Sequence, residues 1–192
     1  MTRRCFTYLA LRLVVALLFC STVPPIQAGD RSIDRQRISS ETLAVLRKNF
    51  LMSEVISLIQ KSPDQASSRR YLQEQKRFNF IATQHQDPMV VDGYSAGDLK
   101  SPIIGYSLFY YGADGPLVMI DASVNPVNAA ATERIGGLLH RSLDSMSNPD
   151  GSTLHFLGMY DFDPRRVLKI MIRKAQTPMG PDYAIRYVVS RR

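Results

Sequence analysis

Cysteine is scarce in this chain: Cys5 and Cys20 are the two in 192 residues. Both fall in the first 28 residues, which read as a secretory signal. Arg3 and Arg4 open the stretch with no acid before Asp30, an apolar run extends to Cys20, and Val23 to Ala28 ends in a small residue suited to signal peptidase. Removal after Ala28 leaves 164 of the 192 residues and no thiol. That excludes a disulfide framework, a cysteine nucleophile and a Cys-ligated zinc from the mature chain. Long apolar runs are missing too. Arg12 leaves Leu13 to Cys20 as the unbroken part of the leader, well short of the roughly 20 residues of a membrane helix, so no transmembrane span is expected in the mature chain. Acylation of Cys20 would want a small residue where Phe19 stands. None of the mature asparagines begins an Asn-X-Ser/Thr acceptor. An exported chain without cysteine or glycosylation acceptors fits a bacterial periplasmic or secreted protein.

Charge is modest once the leader is removed. The whole chain carries +7, and Arg3, Arg4 and Arg12 account for three of those charges, leaving +4. Nucleic-acid binders concentrate far more on one face, so a nucleic-acid partner is not expected. No His-x-x-x-His, His-x-His or Glu-paired spacing surrounds His85, His140 or His155, so no metal or other cofactor is expected. No glycine-rich loop joins a strand to a helix, since Gly136-Gly137 lies inside a helical pattern.

What is present is a set of periodic segments. The clearest is Pro102 to Asn125, where two runs rich in β-branched and aromatic residues flank Gly112-Ala113-Asp114-Gly115 and predict a hairpin. Ahead of it, Gly29 to Ser39 is polar and charged and reads as a flexible leader. Ser39 or Ser40 then caps an amphipathic helix to about Lys61, with Leu43, Leu46, Phe50, Val55, Leu58 and Ile59 on its apolar face. Ser62-Pro63 opens a second, polar helix to about Lys76. Alternation from Phe78 to Thr83 predicts a strand, and Asp87 to Ser101, with Pro88, Gly93 and Gly97 around a small apolar patch at Met89 to Val91, predicts a long loop that admits one short strand.

After the hairpin, Asn125-Pro126 predicts a helix to about Met146, in which close packing against the sheet would account for Gly136-Gly137. Asn148-Pro149-Asp150-Gly151 predicts a turn, and three strands follow at Thr153 to Phe162, Val167 to Ala175 and Tyr183 to Ser190. The middle one also admits a helix capped by Asp163-Pro164, but its β-branched alternation favours the strand. The expectation is one α+β domain over residues 40–192, in the order α-α-β-β-β-α-β-β-β. Its mostly antiparallel sheet of about six strands would carry helices packed on one face.

Candidate functional residues fall into two groups. In the first, Ser95 sits in a literal Gly93-Tyr94-Ser95-Ala96-Gly97, and His85, Asp87, His155, Asp161 and Asp163 could share acid-base work in a hydrolase. A nucleophile elbow needs a helix directly after its serine, and Asp98 to Pro102 is too short for one. In the second, Arg165, Lys169, Arg173, Tyr183, Arg186 and Tyr187 interleave cations and tyrosines on the last two strands, as a surface for an acidic protein or an anionic envelope component would. The expected function is therefore an exported, non-enzymatic binding protein, with an inhibitor or immunity-type protein as a narrower version.

Overall fold

The computed structural model describes residues 36–74, 78–98 and 100–192; the expected signal peptide and most of the expected leader lie outside them. Helices α1 (Ser40–Asn49), α2 (Met52–Lys61) and α3 (Gln65–Glu74) come first. Strands β1 (Phe78–Gln86), β2 (Met89–Ala96), β3 (Ile103–Tyr111) and β4 (Leu117–Val124) follow. Next are helix α4 (Ala129–Leu139) and strands β5 (Asp144–Ser147), β6 (Thr153–Asp163), β7 (Arg166–Thr177) and β8 (Gly180–Arg191). All eight strands form one sheet in the order β1-β2-β3-β4-β8-β7-β6-β5, antiparallel throughout. The fold is α+β and its sheet antiparallel, as expected, but with eight strands and four described helices.

Two strands go beyond the expected six. The expected long loop from Asp87, which admitted one short strand, holds the full strand β2, because the chain reverses at Asp87-Pro88 and Gly93 pairs with Ala82 and Ser107 inside the ladder. The expected helix to Met146 stops at Leu139, and Leu143 N–H donates to Phe156 O at 2.8 Å to start β5. Its cap is also displaced: Ala131 N–H bonds the Asn128 side chain at 3.0 Å, while Asn125 braces Ser101 O at 2.9 Å. At Gly136 and Gly137 an added Cβ would meet nothing within 4 Å. Close packing is therefore not what the glycines serve.

The single helix expected from Ser40 to Lys61 is two. Leu51 takes a left-handed conformation, φ 54° and ψ 26°, between α1 and α2. The break has a packing cause: residues two apart on a straight helix point about 200° apart, yet Phe50 and Met52 are both fully buried. Re-phasing the chain at Leu51 sends both inward. Ser39 caps α1, accepting from Thr42 N–H at 3.2 Å, and Asp64 accepts from Ser67 N–H at 2.8 Å at the start of α3.

One core joins the four helices to one face of the sheet. Leu46, Phe50, Val55, Leu58, Leu72, Ile135 and Leu138 from the helices share it with Leu108, Ile120, Ala122, Ile170, Ile172 and Ile185 from the strands. Side chains alternate along a strand, so Phe109, Met119 and Met171 belong to the opposite face, on which no described helix packs. Gln36 to Ile38, the end of the expected leader, runs beside β6 at Met159.

Candidate functional site

Two buried carboxylates stand out, each sitting in an apolar strand run where a charge has to be paired. Asp92 on β2 faces α3, and its side chain has no exposed area. Arg69 of α3 grips it with Nε to Oδ2 at 2.9 Å and Nη2 to Oδ1 at 3.0 Å. Oδ1 also accepts from Thr83 Oγ1 at 2.6 Å and from Gln65 Nε2 at 2.8 Å. Burial works to raise the Asp92 carboxyl, and the donors from Arg69, Thr83 and Gln65 outweigh it, holding the group below its ordinary value. The Arg69 guanidinium lies 4.6 Å from the Phe80 ring centroid and also donates to Thr83 Oγ1 at 2.6 Å. The network ties α3 to β1 and β2.

Around it the core is rich in tyrosine. Tyr94, Tyr110 and Tyr187 are fully buried, and burial pushes all three hydroxyls well above the ordinary phenol value. The Tyr187 hydroxyl has no hydrogen-bond partner among the described residues, whereas Tyr94 reaches Asp92 Oδ2 at 3.4 Å.

The second carboxylate, Asp121 on β4, lies on the face away from the described helices. Arg186 of β8 meets it in a bidentate pair, Nε to Oδ1 at 2.8 Å and Nη2 to Oδ2 at 2.7 Å. Side-chain exposure is 8% for Asp121 and 16% for Arg186. This pair bridges the seam between β4 and β8, where the two four-stranded meanders join. Next to it, Val91, Phe109, Met119 and Val188 lie in one register row across β2, β3, β4 and β8. Lys169 continues that row on β7.

The six residues read from the sequence as a binding surface divide between the faces. Lys169, Arg173 and Arg186 alternate with the core residues Leu168, Ile170, Ile172 and Ile185, and so share the face away from the described helices. Arg173 meets Asp150 at 3.3 Å. Tyr183 and Tyr187 turn toward the helices with Ile185, Tyr187 wholly inside. Arg165 is exposed in the β6–β7 turn, its N–H bonded to Asp163 Oδ1 at 2.8 Å.

The residues weighed for a hydrolase stay apart. Ser95 pairs with Asn79 and Gly105 in the middle of the sheet ladder, with no helix after it. His85 is exposed on β1, six strand spacings from His155 on β6, or roughly 29 Å at about 4.8 Å each. Burial and the Lys174 charge lower the His155 pKa. Asp161 is held low by Arg192 at 2.6 Å and by Arg37, and Asp163 by the Arg165 N–H and by Arg166. Among the described residues no three His, Cys, Asp or Glu side chains gather as metal ligands do, and no helix is long and apolar enough to cross a membrane. No protein-family model, curated protein or solved structure matches the chain.

Proposed function

We propose that the chain is an exported, non-enzymatic binding protein that engages an acidic protein or an anionic envelope component through the face of its sheet away from the described helices. What supports the reading is the set of cations on the sheet face away from the described helices, beside the Val91–Phe109–Met119–Val188 row, whose first three side chains are themselves buried. Lys169, Arg173 and Arg186 lie along and beside that row, so a partner bearing carboxylates or phosphates is complementary to it. Asp121 and Asp150 pair with the two arginines and hold their side chains in place. A periplasmic or extracellular location follows from the signal-like leader, and an inhibitor that blocks a toxic protein there is the narrower form of this reading.

The test is affinity capture from the envelope fraction with the tagged mature chain and with Lys169→Glu and Val188→Glu variants, each shown to be folded by circular dichroism. The charge reversal removes a cation, and the second variant places a carboxylate inside the apolar row. Both should lose the captured component. Undiminished capture by both variants removes this face as the binding surface.

A further inference from the structure

The two edges of the sheet are finished differently, and the β6 side is closed by pieces of chain that do not belong to one strand. β5 covers Thr153 to Phe156 and then ends. Beyond it Gln36 to Ile38 takes over as a one-bridge parallel strand against Met159. Ile38 N–H donates to Met159 O and Met159 N–H donates to Gln36 O, both at 2.9 Å. Arg37 reaches Asp161 at 2.9 Å, and Ile38 packs against the core. The neighbouring residue on β6 is Gly158, at φ 130°, where a Cβ would lie 2.6 Å from the Ile38 backbone. The edge therefore has a notch shaped to another backbone: two hydrogen-bonding groups, a carboxylate beside them, and a position that admits no side chain.

The contacts that fill the notch are few. Among the described residues they amount to two hydrogen bonds, one aliphatic side chain, and an ion pair whose arginine is 79% exposed. Segments held this way open locally without unfolding the domain. We propose that the outer edge of β6 at Gly158 and Met159 is a strand-addition site that the chain's own Gln36–Ile38 strap occupies, and that it accepts an extended segment of a partner protein when the strap lets go. The strap itself defines the chemistry of that segment. It carries a basic residue placed to meet Asp161 and an aliphatic residue immediately after it, and its backbone supplies one acceptor and one donor. Displacing the strap is then the switch, and this surface is separate from the face away from the described helices.

Two measurements on the intact chain test this. In native-state hydrogen exchange the Ile38 and Met159 amides should exchange at least about 100-fold faster than the central β8 amides. If they exchange only together with those amides, the strap never lets go and the proposal fails. The second measurement titrates a fluorescein-labelled peptide of residues 31–39, the probe, into wild-type chain and into an Arg37→Glu variant whose own strap is weakened. Anisotropy should show saturable binding about tenfold tighter to the variant, equivalent to 1.4 kcal/mol. The same peptide N-methylated at Ile38, which lacks the donor to Met159 O, should not bind, and Gly158→Ala in the receiving chain should also abolish binding. Absence of binding to the Arg37→Glu chain, or equal binding of the methylated peptide, overturns the assignment.

Discussion

Replacing Arg69 by alanine tests the largest electrostatic commitment in the fold. The substitution removes two charge-assisted hydrogen bonds to Asp92 and the guanidinium over Phe80. It leaves a carboxylate with no exposed side-chain area held by Thr83 and Gln65. Stripping the partner from a buried ion pair costs about 3–5 kcal/mol. Arg69 itself is 37% exposed, so water can follow it out and the lower end, about 3 kcal/mol, is expected. For a domain of this size that lowers Tm by roughly 6–12 °C. Urea unfolding followed by far-ultraviolet circular dichroism measures it. Adding Asp92→Asn to Arg69→Ala removes the stranded charge and should return about 1 kcal/mol or more.

The pH dependence of that loss has a definite sign. In the wild type the Asp92 pKa lies below its unfolded value. Its contribution is therefore complete above about pH 3.9 and is lost as pH falls from there through the folded value. In Arg69→Ala burial is opposed by fewer donors, the carboxyl moves up, and acidification relieves the penalty. The gap between variant and wild type should narrow below about pH 4. A loss under about 0.5 kcal/mol, or a double variant no more stable than the single one, would refute the reading of Asp92 as a charge that depends on Arg69.

Three further substitutions probe features that carry no compensating contact. Tyr187→Phe removes a fully buried hydroxyl without a partner among the described residues and should stabilise the fold by up to about 1–3 kcal/mol in the same urea assay. Alkaline titration at 295 nm should show Tyr187, whose hydroxyl is held well above the ordinary phenol value, failing to ionise before the domain unfolds. Gly136→Ala and Gly137→Ala add a methyl that meets nothing within 4 Å in the interior of α4. Each should raise stability by about 1 kcal/mol, read as a shift in urea midpoint at unchanged slope.

The residues that speak most clearly in sequence are those whose local chemistry decides their structure. Gly112 adopts φ 81° between β3 and β4, as a turn flanked by β-branched runs requires, and Ser39 caps α1 as its place before the apolar pattern implies. Alternation from Val167 placed β7 as a strand rather than a helix, and the observed β7 is longer still, Arg166–Thr177. The full length of strand β2 was illegible because Pro88 and Gly93 are loop residues by propensity, and pairing on both sides overrides propensity. Strand β5 has four exposed residues and no period to read. The break at Leu51 is set by the demand that Phe50 and Met52 both be buried, which is a tertiary requirement.

Of the candidate surface, the shared face of Lys169 and Arg173 followed from strand periodicity. The inward turn of Tyr187 did not, because tyrosine suits either side of a sheet. Asp92 and Asp121 gave a signal that went unread: a carboxylate inside an apolar strand, such as Leu117-Val118-Met119-Ile120-Asp121-Ala122, asks for an arginine somewhere else in the chain.

The placement of β8 in the middle of the sheet sets the order in which the molecule can be finished. Strand β4 waits for a neighbour whose matching residue, Arg186, lies 65 positions later than Asp121, and pairings of such separation form late. A ribosome or an export channel hands over the chain from its N-terminus, so the keystone strand is the last to arrive. Until it does, the two meanders have nothing to join them, and a chain shortened before Gly180 would be left as two half-sheets.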